Sequence, residues 1–176
     1  MALVSASAFQ ELANNFISVA EGISPENGQN FVISKFGHLI ASATNMSFAV
    51  EIYLKAILSS LQVAPPSGKD GHDLLKLFNM LPSEVSTALQ VSFEKKPKKQ
   101  IGKIGCFHLH SQGEMDSTRK KFDIKSILES SKDAFVTWRY LYESTEGEKR
   151  KEAVYEFYQL NVFSNVLKEY LIAELS

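Results

Sequence analysis

The chain has 176 residues, of which 44% are apolar and 22% charged, with a formal net charge of −1. That length suits one domain, residues 1–176, with a core of useful size, and that balance excludes a disordered chain. The single cysteine, Cys106, excludes an internal disulfide framework and fits a reducing compartment.

The N-terminal stretch MALVSASAFQEL has neither the basic segment nor the apolar run of a signal peptide. No stretch reaches the ~18 apolar residues of a membrane span, so a soluble cytoplasmic protein is expected. From Ser7 to Glu21, Phe9, Leu12, Ala13, Phe16, Ile17 and Ala20 recur at helical spacing and predict a first helix. GISPENGQN then interrupts it with Gly, Pro and Asn.

The next segment, Phe31 to Leu61, contains no proline. Val32, Phe36, Leu39, Ile40, Ala43, Val50, Leu54, Ile57, Leu58 and Leu61 form one stripe, while Phe48, Ala49, Ile52 and Ala56 lie on the other side. A helix apolar on two faces is buried on two faces. It is either the central helix of a bundle or a helix that also forms a dimer seam. APPSGKDG stops it, and Asp70 or Asp73 is placed to cap a short helix carrying Leu74, Leu77, Phe78 and Leu81 on one side. After Pro82, Ser83 is expected to cap a further helix.

Regular spacing then lapses. Residues 96–121 form a long irregular insertion, in which Ile101, Ile104 and Phe107 suit a strand or hairpin arm. Helical spacing returns from Asp123 to Glu143, with Ile124, Ile127, Leu128, Ser131, Phe135, Trp138 and Tyr142 in one stripe. The last helix is expected from Glu152 to Leu175, with Ala153, Phe157, Leu160, Leu167 and Leu171 on one side and Tyr155, Val162 and Val166 on the other. The fold class is therefore all-α, an antiparallel up-and-down bundle of four to five main helices.

Charge is unevenly distributed. Glu94 to Lys125 holds nine Lys/Arg against four acids, net +5, and the remainder is net −6. A polyanion contact and a solvated lysine-rich loop both produce this signature. Lys98 and Lys99 are candidate phosphate contacts without base readout.

Within VTWRYLYE, Arg139 falls about 40° from Phe135 and about 60° from Tyr142 around the helix, at the edge of an apolar stripe. A guanidinium there requires a carboxylate or a bound anion, because an unpaired buried charge is costly. Glu143 stands one turn away, and Glu51, with Lys55 one turn on, is the expected partner across the bundle. The pair either fixes helix register or lines a ligand cleft.

ATNMSFAVEIYLKAIL and GHDLLKLFNMLP, with Asn45, Ala49, Glu51, Lys55 and Ala56 and then His72, Asp73, Leu74 and Leu77, resemble the second and third helices of HEPN (higher eukaryotes and prokaryotes nucleotide-binding) domains. DAFVTWRYLYE is similar to the aromatic-rich later helix of some members. The resemblance implies a helical bundle that forms a homodimer. It also implies either metal-independent RNA cleavage or a role beside a nucleotidyltransferase-type partner, in a toxin–antitoxin or defence system.

Ribonuclease members rely on Arg, four to six residues, then His; here no histidine follows Arg139, Arg119 or Arg150 at that spacing. His38, His72, His108 and His110 all precede every arginine. A binding role toward RNA, a nucleotide or a partner protein is therefore expected, with Arg139, Glu51, Lys55, Tyr142, Asn45, His72, Lys98 and Lys99 as contact candidates. The alternatives are an RNA-cleaving toxin with a non-standard site around Arg139, and a structural interaction subunit. Cys106, His108 and His110 lack the spacing of a zinc site, so neither metal nor cofactor is expected.

Overall fold

The computed structural model describes residues 6–23, 36–96, 106–109, 123–132 and 153–175. Among them are six α-helices: α1 (Ala6–Ile23), α2 (Phe36–Ser60), α3 (Leu74–Asn79), α4 (Ser83–Lys95), α5 (Ile124–Ser131) and α6 (Phe157–Leu175). A 3₁₀ turn, Gly68–His72, precedes α3, and two four-residue strands, β1 (Cys106–Leu109) and β2 (Ala153–Glu156), pair antiparallel. The fold is an all-α helical bundle.

Its centre is α2. Val50, Leu54, Ile57 and Leu58 on one side and Ala49, Ile52 and Ala56 on the other are all buried. The second face, Phe48 apart, is thus buried within the chain, as expected of a central bundle helix. α1 packs along α2; the Phe16 and Phe48 rings meet edge to face at 4.6 Å, and the Tyr53 hydroxyl donates to Asn14 Oδ1 at 2.8 Å. Leu12, expected in the buried stripe of α1, is instead exposed, while Ala13 and Ile17 face the core. The covering helix turns a narrower apolar stripe inward than the spacing of its apolar residues allows.

α6 packs against α2 and α4, and α3 packs against α2 and α5. Phe163 of α6 joins these layers, meeting Phe78 of α3 at 6.0 Å and Phe93 of α4 at 6.2 Å, both edge to face. Lys96, just past α4, bridges to Glu169 of α6 at 2.7 Å.

Local chemistry explains most helix ends. α2 closes with Gln62 in the left-handed region at φ 59°, as the Gln62 amide reaches Ser59 O and the Val63 amide reaches Leu58 O. Asp73 caps α3 by accepting from the Lys76 amide at 2.8 Å. Asp123 caps α5 in the same way, through the Ser126 amide at 2.9 Å. Ser83 is not a cap: it is the first helical residue of α4, and Pro82 occupies the cap position without a side-chain bond. Proline preceding the first turn sacrifices no helical hydrogen bond, so the helix starts one residue sooner than the hydroxyl suggests.

Two further expectations change. The last helix begins at Phe157, because residues 153–156, including Ala153 and Tyr155, form β2. β1 does lie in the segment expected to be irregular, yet its partner is the distant β2, with Phe107 opposite Tyr155. Val154 and Tyr155 are β-branched and aromatic residue types that tolerate a strand better than a helix, which suits pairing with the remote β1. Phe135, Trp138, Tyr142 and most of the 96–121 insertion lie outside the described residues.

Gln159 is 4% exposed, and neither its amide oxygen nor its nitrogen has a hydrogen-bond partner. Burying an unpaired polar group costs about 1–3 kcal/mol, so Gln159→Leu should raise stability by about 1 kcal/mol in urea denaturation; a loss would show that the amide is bound by something. Tyr53 supplies a second test. Burial pushes its phenol up to about 12 from an ordinary value of 10.0. Between those pH values the unfolded chain has released the proton and the folded chain retains it. Stability from this group is complete below pH ~10 and declines as pH rises toward ~12. Denaturation at pH ~9 and ~11 should show a steeper alkaline loss in the wild type than in Tyr53→Phe.

Candidate functional site

The best-defined polar constellation lies where α2 meets the 3₁₀ turn. Glu51, in the middle of α2, has only 2% of its side chain exposed. Lys55, one turn on, donates from Nζ to Glu51 Oε1 at 2.6 Å. His72, the last residue of the turn, places Nδ1 3.0 Å from Glu51 Oε2. A carboxylate only accepts, so this contact places the imidazole proton on Nδ1. Both carboxylate oxygens are engaged, as burial of a charge requires.

The loop geometry makes the approach close. Gly71 is buried beside His72, and a Cβ added to it would lie 2.7 Å from the Pro66 carbonyl oxygen and 3.5 Å from Lys55 Nζ. Only a residue without a side chain lets the turn settle this close to the Pro66 backbone, beside Lys55 Nζ. Asp73 then caps α3, and Lys76 of α3 pairs with Asp70 of the turn at 2.8 Å. The cluster therefore ties α2, the turn and α3 into one unit.

Exposure grades outward through the constellation. Glu51 is enclosed, Lys55 has 21% of its side chain exposed and His72 has 39%. A buried carboxylate holding an imidazole through Nδ1 fixes the tautomer and the orientation of the ring. The same geometry pins a turn to a helix. Among the described residues no group of three or more His, Cys, Asp or Glu gathers in a metal-binding arrangement.

Of the sequence candidates, the structure brings together Glu51, Lys55 and His72. Asn45 stands six residues earlier on α2, about 9 Å along the axis, and its Nδ2 donates back to Ala41 O at 2.7 Å. Arg139, Tyr142, Lys98 and Lys99 lie outside the described residues, as does His110. The partners described for Glu51 are Lys55 and His72, each taking one oxygen. Cys106 and His108 lie in β1, in register with Glu156 and Val154 of β2. The sequence reading missed Gly71, whose signal was its place between Asp70 and His72 directly after a double proline.

Compared with known proteins, the chain matches no family model, no curated protein and no solved structure. Among the described residues no helix is long and apolar enough to cross a membrane.

Glu51→Ala leaves two donors without their acceptor, and since both are partly exposed the loss should be about 2–3 kcal/mol by chemical denaturation. Glu51→Leu combined with Lys55→Met should recover part of it, as an apolar replacement of a buried pair often does. Gly71→Ala forces a backbone shift against Pro66 and should cost about 1–3 kcal/mol, read as a lowered melting temperature.

Proposed function

We propose that this chain is a HEPN-like helical-bundle protein that acts by binding RNA without cleaving it. The observation that carries the reading is the meeting of Glu51, Lys55 and His72 around one buried carboxylate. These letters carry the resemblance from two segments on either side of a loop. Letters that converge in space support a shared design better than letters that merely recur.

The choice of RNA rests on charge. The net +5 segment from Glu94 to Lys125 supplies cations, Lys98 and Lys99 among them, that suit phosphate contacts without base readout. Arg139 serves as a further phosphate contact. The absence of cleavage rests on residue order, since no histidine follows an arginine anywhere in the chain. The resemblance further suggests a homodimer, a nucleotidyltransferase-type partner and a cytoplasmic toxin–antitoxin or defence setting.

A structural interaction subunit is the second reading, favoured by the near-complete enclosure of Glu51. In that case the constellation serves only to fix the turn.

Anisotropy of a labelled single-stranded RNA at about 50 and 200 mM salt separates the readings. Binding should weaken with salt, and Lys98→Ala with Lys99→Ala should lower the log–log slope by about 1.4, at ~0.7 per phosphate contact. The RNA should remain intact. Equal affinity at both salts, or no binding at micromolar protein, would overturn the proposal and leave the structural reading. Cleavage that disappears in Arg139→Ala would replace it with an enzyme of non-standard site.

A further inference from the structure

We draw no further inference here: the strongest candidate, the open groove between α4 and the N-terminus of α5 with Phe78, Val91, Glu94 and Lys125 in its lining, carries no proposal because nothing in the structure shows what covers it.

Discussion

A charged carboxylate in the middle of a helix buried on both faces is the constraint around which this bundle is organised. α2 buries apolar residues on two faces, and Glu51 sits between them with 2% of its side chain exposed. Water cannot solvate that charge, so the protein must supply donors. One comes from α2 itself, through Lys55, and costs little chain entropy because the two residues are adjacent turns. The other must come from elsewhere, and His72 arrives on the 3₁₀ turn. That contact holds the turn against α2, while the Pro66 carbonyl requires glycine at 71 and the Asp73 cap starts α3.

The apolar architecture is compatible with this requirement and adds most of the stability. The ring contacts of Phe163 with Phe78 and Phe93 tie α6 to α3 and α4, while α1 covers the far side of α2 through Phe16 and Asn14. Ala49, Ile52 and Ala56 on that far side are buried within the one chain.

The helical content was legible in residue spacing because amphipathic helices repeat their apolar residues locally. Leu74, Leu77 and Phe78, and Ile124, Ile127 and Leu128, face the core as their intervals indicate. Helix starts were legible where the cap or the return of helical spacing marked them, at Asp73, one of two caps offered, and at Asp123. They were not where backbone or distant pairing decides. Pro82 displaces Ser83 from the cap of α4, and β1 draws residues 153–156 out of the last helix.

For the site, the sequence by itself placed Glu51 and Lys55 one turn apart on α2, and it named Glu51 as the expected partner of Arg139, which lies outside the described residues. It also determined that no histidine follows an arginine. Tertiary structure alone decided that His72 meets Glu51, since the two are 21 residues apart. A loop with two prolines and two glycines joins them, and at Gly71 a Cβ would lie 2.7 Å from the Pro66 carbonyl oxygen. Periodicity reports which face of an element is apolar. It carries no information about which remote donor reaches a buried acceptor, because that choice is made by the geometry of the whole chain.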